Sequence, residues 1–299
     1  MCLCLCSVYM SENERLNGLS GNVVFHPSFA TPYDIPTFLR AAALRVVAGS
    51  MLLAAALALC AAIVASSDTD RSSCALAFCT CVVAFYHYKK LVSIREQTGS
   101  HVTLTKPGDT PVGQAPGLKL AWQELNVDAV RYSDWAVTLT PLIIDLHIIV
   151  DGHTAFFSIS WSVMLCIAMV MFGSFTRLGT DELVPGNQGR GLDGPILFGI
   201  VSFALSSVCL ALVLANLLVD LENDPSNGWV YAFSLPWVGY GVVALISIVW
   251  RQFDAKGYPE LLSIFKDLAF GTLDVWFKAT FTFWVSTKAF GINTLVFGF

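Results

Sequence analysis

Lys278 lies within Thr272–Val285, a run that is otherwise apolar apart from a few hydroxyls and Asp274. A charge at the centre of a membrane helix costs roughly 2.5–3.5 kcal/mol on insertion scales. A chain keeps such a residue by pairing it or by converting it chemically. Asp274 comes four residues earlier, so the two share one helix face about one turn apart. A desolvated lysine also readily gives up its proton and condenses with an aldehyde to an imine. From the pair alone two readings stand open: an ion pair that merely neutralises itself, or a reactive amine beside its counter-ion. A second polar set opens with Arg131-Tyr132-Ser133-Asp134-Trp135 and continues to Thr138 and Asp145. Asp134 and Thr138 share a face, Arg131 lies one turn before, and Asp145 follows three turns after Asp134, about 16 Å along nearly the same face. An arginine, a carboxylate, a hydroxyl and a distant carboxylate on one stripe suit stepwise proton movement. The alternative is a set of neutralised pairs in a water-filled cavity, although Asp145 has no basic neighbour in sequence.

These residues need helices in lipid to position them. Of the 299 residues 55% are hydrophobic and only 13% charged, about half the charged fraction of an average soluble chain, and the mean hydropathy is +0.65. Seven apolar runs are long enough to cross a bilayer: 36–65, 72–94, 127–150, 154–175, 195–221, 229–250 and 260–290. The alternation of a membrane barrel is missing. The fold class expected is therefore an all-α membrane protein, a multi-pass bundle of seven transmembrane helices. A short β-hairpin is expected between the second and third, where His101–Lys106 and Leu118–Trp122 flank a turn-rich centre. The domain division expected is an N-terminal leader over 1–35, the seven-helix domain over 36–292 and a C-terminal tail over 293–299. Met1–Tyr9 is too short and lacks the basic start of a cleaved signal. Cys2, Cys4 and Cys6 in the leader admit lipidation, a metal, or no role beyond a mobile segment. The cysteines of the apolar runs read as small buried side chains. No spacing suggests a metal site, and no nucleic-acid partner is expected of a chain with net charge −5.

Arg131-Tyr-Ser-Asp-Trp-x-x-Thr with Asp145, and Leu273-Asp-Val-x-x-Lys278 on the seventh span, resemble the microbial (type 1) rhodopsins. Trp237-Val-Gly-Tyr240 on the sixth span resembles that family's retinal-contact segment. The match runs through all seven spans in order. It implies all-trans retinal bound to Lys278 as a Schiff base, with Asp134 as primary counter-ion and proton acceptor, Asp274 as second counter-ion, and Arg131 with waters completing the cluster. Thr138 would steady Asp134, and Asp145 would be the internal proton donor. Trp135 and Trp237 would sandwich the polyene. Ala84-Phe-Tyr-His87-Tyr88 on the second span resembles the proteorhodopsin and xanthorhodopsin branch, in which this histidine partners the acceptor aspartate. Tyr88 and Tyr240 would then hydrogen-bond Asp274. Three departures from the family pattern stand out. Pro141 comes seven residues after Asp134 rather than six, a register change that would turn Asp145 away from the retinal side. Gly241 replaces the proline that usually follows the tyrosine. Trp276 and Phe277 are bulkier than usual and are expected to crowd the amine.

The function implied is a light-driven outward proton pump, a transporter rather than an enzyme, acting on protons from within the lipid bilayer as a homo-oligomer. A light-gated cation channel and a sensory photoreceptor are the alternatives. A chloride pump is disfavoured by the negative charge of Asp134 where the anion would sit. Direction depends on insertion. The resemblance places the N-terminus outside, whereas Lys89, Lys90, Arg95, Lys106, Lys119, Arg177, Arg190, Arg251 and Lys256 crowd the N-terminal side of the bundle, which the positive-inside rule would put in the cytoplasm.

Overall fold

The computed structural model describes residues 34–102, 116–151, 156–180, 194–222, 236–253 and 259–292. They form α1 (Asp34–Val64), α2 (Asp68–Val102), α3 (Pro116–Asp151), α4 (Phe156–Thr180), α5 (Gly194–Glu222), α6 (Trp237–Phe253) and α7 (Pro259–Asp274). The last continues without a break through a π-helical turn, Val275–Thr280, into α8 (Phe281–Ala289). Together Pro259–Ala289 make the seventh span. Helices are the answer lipid demands, because every backbone N–H and C=O must find its partner within the segment.

Local signals set the ends. Ser67 caps α2: its hydroxyl accepts from the Asp70 backbone N–H at 3.0 Å and donates to the Asp70 carboxylate at 2.7 Å, which satisfies one of the free N–H groups of the first turn. Prolines at the first positions of α3 and α7 supply a fixed φ where an N–H would go unused. Gly291, with φ of +71°, closes the seventh span. Its N–H reaches the Lys288 carbonyl at 2.9 Å, and that of Ile292 reaches Thr287 at 3.0 Å, the paired bonds of a Schellman ending.

The helices pack in a ring, α2 on α3, α3 on α4, α4 on α5, α6 on α7, with α8 and the π turn returning to α2. α1 adds Leu44, Val47, Met51 and Ala55 to a core shared with Cys81, Ala84 and Leu91 of α2. At Gly239 a Cβ would come within 2.9 Å of Leu273, so this glycine permits the close approach of α6 to α7. Large apolar side chains such as Leu53, Ile63, Met164, Val208 and Phe283 point outward, which is the arrangement expected of a bundle solvated by hydrocarbon. Four helices among the described residues, α1, α2, α4 and α5, are long and apolar enough to cross a membrane on composition alone. α3 and the seventh span, which carry the charges of the site, are not among them. Those charges face inward: Asp134, Asp145, Asp274 and Lys278 are each at most 2% exposed.

The expected hairpin between the second and third spans is not formed by the described residues. His101 and Val102 end α2, and Leu118–Trp122 lie inside α3; residues 103–115 fall outside the described set. At Leu118–Trp122 local β-capacity gave way to continuation of α3. The expected leader over 1–35 and the tail from 293 also fall outside the described residues, save Asp34 and Ile35 at the start of α1.

Candidate functional site

The seventh span brings Asp274 and Lys278 to the centre of the bundle, and the helix widens there into its π turn. A π turn adds one residue to the coil, leaves carbonyls without their usual helical partners, and is found often at functional sites. Lys278 Nζ lies 2.5 Å from Asp134 Oδ2 on α3 and 3.5 Å from Asp274 Oδ1. Asp274 is held by three donors: the Tyr88 hydroxyl on Oδ2, and the Tyr240 hydroxyl at 2.5 Å and Trp135 Nε1 at 3.3 Å on Oδ1. Asp134 Oδ1, by contrast, is buried with no hydrogen-bond partner. His87 stands beside it, Nδ1 to Oδ1 at 3.5 Å. The same nitrogen lies 2.9 Å from the Val83 carbonyl; a carbonyl only accepts, so Nδ1 carries a proton directed at Val83.

Thr138 hydrogen-bonds Asp134 through the backbone. Its hydroxyl donates to the Asp134 backbone carbonyl at 2.7 Å rather than to the carboxylate, the usual back-bond of a helical threonine. Arg131 turns to other partners. Its guanidinium hydrogen-bonds Asp267, lies 3.6 Å from Asp128 and stacks over Phe270 at 5.3 Å, so its described bonds go to a neighbouring cluster and not to the Lys278 group. The reason is proximity: Asp128 precedes it by one turn, and Asp267 lies two turns before Asp274 on the same stripe. Asp145 is fully buried and accepts a hydrogen bond from Ser73 of α2, with Oδ2 left unpartnered. α3 runs unbroken through Pro141, and Asp145 remains within the bundle interior despite the shifted proline.

Beside Lys278 opens a cavity of ≈ 100 Å³ whose walls include Trp135, Trp237, Tyr240, Phe270 and Phe277. Trp237 packs on Phe277 at 5.5 Å, and its indole N–H is buried without a partner. Trp135 meets Tyr240 edge to face at 5.2 Å. Gly241 also lines this space, and a Cβ there would meet nothing within 4 Å. Of the two bulky residues expected to crowd the amine, only Phe277 does so. Trp276 is 45% exposed, because neighbouring positions on a helix point in different directions.

The family model for bacteriorhodopsin-like proteins matches residues 40–291. The chain belongs to this family. As a microbial rhodopsin it is an integral, multi-pass membrane protein, and rhodopsins bind retinal as their chromophore. Among solved structures this rhodopsin is similar to xanthorhodopsin, a light-driven ion pump with dual chromophore, at 16% identity, covering 87% of this chain and 94% of that one with TM-score 0.62. It is similar to the proton-pumping rhodopsin AR2 from the marine alga Acetabularia acetabulum at 21% identity, covering 85% and 95% with TM-score 0.57. Halorhodopsin, a light-driven chloride pump, is similar at 16% identity, covering 86% and 98% with TM-score 0.55. At these identities the likeness establishes the fold, and pumps for different ions share it. A search of curated proteins gave no match.

The residues present fit the chromophore. A buried amine opens onto an apolar, aromatic-walled cavity, two carboxylates flank that amine, and a stray indole donor faces the interior of the rhodopsin. Two contributors escape a reading of motifs. The Cys81 thiol lies 3.6 Å from the Lys278 carbonyl and 3.2 Å from the Thr282 hydroxyl, so it occupies the carbonyl of the π turn. Ser73 holds Asp145. Neither has a sequence signal beyond lying in a span, since serine and cysteine are common as small buried residues there.

Proposed function

We propose that this rhodopsin is a light-driven outward proton pump that carries all-trans retinal on Lys278 as a protonated Schiff base. Retinal, when bound, supplies light absorption and a photoisomerisation that changes the surroundings of the Lys278 nitrogen. The observation that carries the reading is the unequal treatment of the two acids beside Lys278. Asp274 already accepts three hydrogen bonds, so its charge is fixed in place. Asp134 has an oxygen 2.5 Å from Nζ and a second oxygen with no hydrogen bond, which leaves it as the carboxylate able to take a proton from that nitrogen. His87 is positioned to respond to the charge on Asp134. Asp145, on the same helix and three turns away, is the internal group from which Nζ can regain its proton. Trp135 and Trp237 flank the chromophore space, and the aromatic wall keeps water from the amine.

Outward direction requires the N-terminus outside. The structure removes part of the contrary charge count. Arg95 and Arg177 are 3% and 8% exposed and engaged with carboxylates inside the bundle, so they are not loop charges in the sense of the positive-inside rule. A tag at the N-terminus, accessible in intact cells, checks the orientation.

Illumination of a suspension of expressing cells tests the pump. Acidification of the medium that a protonophore abolishes is expected; no pH change, or one that persists with protonophore, rejects it. Asp145→Asn is expected to slow the last, proton-recovering phase of the photocycle by about 10² or more, the usual worth of a positioned acid. A small external weak acid should restore the rate. Flash spectroscopy reads both, and an unchanged recovery phase removes Asp145 from the donor role.

A further inference from the structure

On the Arg131 side of Lys278 a dense group of ions fills the bundle. Asp267 pairs with Arg40, Arg95 and Arg131, and Glu124 pairs with Arg95 and Arg40. Asp128 is approached by Arg177, by Lys266 at 3.1 Å and by Arg131 at 3.6 Å. Even with Arg177 left aside, four cations (Arg40, Arg95, Arg131 and Lys266) meet three carboxylates among the described residues. All but Arg40 are under 9% exposed. An uncompensated charge in such a place is costly and must be paired or lose its proton; an arginine does not lose its proton, so at Arg131 a counter-ion is the relief left open. Arg131 Nε and Nη1 are buried with no hydrogen-bond partner. Arg131 also lines a cavity of ≈ 30 Å³, with Arg177, Lys266, Ser247 and a single carboxylate, Asp128. That volume exceeds the roughly 10–15 Å³ that one water-sized particle needs. The cavity abuts the chromophore cavity through Tyr132, Trp135 and Phe270, which line both.

We infer that this cavity binds one small monovalent inorganic anion, of the halide class, between Arg131 and Lys266. The anion completes the charge balance of the cluster and ties α3 to α6 and α7. The choice of a small monovalent species follows from the volume and from the small charge excess. This site is separate from the amine: Asp134 lies directly against Lys278, whereas the cavity lies beyond Arg131 and contains neither residue. Binding therefore requires no light and no transport activity.

The test is thermal melting of the purified full-length protein in chloride against gluconate at constant ionic strength. Chloride well above its Kd is expected to raise Tm saturably, by roughly 2–4 °C. Bromide should do the same. Lys266→Met removes one cation and leaves Asp128 with Arg131 and Arg177, so the variant is expected to fold and to lose most of the chloride response. Arg71→Gln, at an exposed pair on another part of the molecule, should keep the full response. Equal melting in chloride and gluconate overturns the inference, as does an undiminished chloride response in Lys266→Met.

Discussion

Asp134→Asn is expected to shift the visible absorption to the red and to stop net proton transport. Both effects follow from the 2.5 Å contact with Lys278 Nζ. A carboxylate there stabilises positive charge localised on the nitrogen. At an effective dielectric of about 20 two unit charges 4 Å apart interact by about 4 kcal/mol, and this pair is closer. Light absorption moves positive charge away from the nitrogen, so the negative neighbour stabilises the ground state more than the excited state and widens the gap. An amide narrows it. Transport fails for a different reason: asparagine cannot accept the proton. Asp274, 3.5 Å from Nζ with three donors already on it, is a poor substitute. Net transport should fall by at least about 10². Absorption spectra and light-induced pH change measure the two effects independently, and normal pumping by the variant would take the acceptor role from Asp134.

Lys278→Ala is expected to abolish visible absorption after retinal is supplied, leaving only the spectrum of free chromophore. The amine is the only group on the cavity wall, among the described residues, that forms an imine. The alanine variant also strands two buried carboxylates, and breaking a buried pair costs about 3–5 kcal/mol, so poor folding could mimic the result. Lys278→Arg separates these causes. A guanidinium keeps a positive charge for Asp134 and Asp274 but does not condense with an aldehyde under these conditions. A folded, colourless arginine variant supports the covalent attachment; retained colour in either variant contradicts it.

Much of the site could be read from spacing. The step of four between Asp274 and Lys278 predicts a shared face, and the two are 3.5 Å apart. The same rule aligns Asp134 and Thr138, though it could not say which oxygen of Asp134 the hydroxyl would choose. Spacing also held a signal left unused. Ser263, Asp267, Asp274 and Lys278 fall on one stripe of the seventh span, and Glu124, Asp128, Arg131 and Asp134 fall on one stripe of α3. Extending each stripe outward by two turns leads to the ion cluster around Asp128 and Asp267. Sequence separation hid the pairing itself, since Arg95 and Asp267 are 172 positions apart and only the packing of α2 against the seventh span joins them. The π turn at Val275–Thr280 was likewise out of reach, because no residue type marks it. The expected hairpin is not formed by the described residues, because Leu118–Trp122, though β-capable as a short run, continue the long helix α3. Trp276 and Phe277 show the limit of reasoning from bulk alone: one residue along a helix turns a side chain by about 100°, enough to send one to lipid and the other to the chromophore cavity.

The most direct measurement is the photocurrent of voltage-clamped cells that express the protein with retinal, taken over a wide voltage range against an opposing proton gradient. A proton relay from Lys278 to Asp134 predicts an outward current that keeps one sign throughout and vanishes in Asp134→Asn. A current that reverses as the ion gradient is reversed, or that survives in Asp134→Asn, contradicts it.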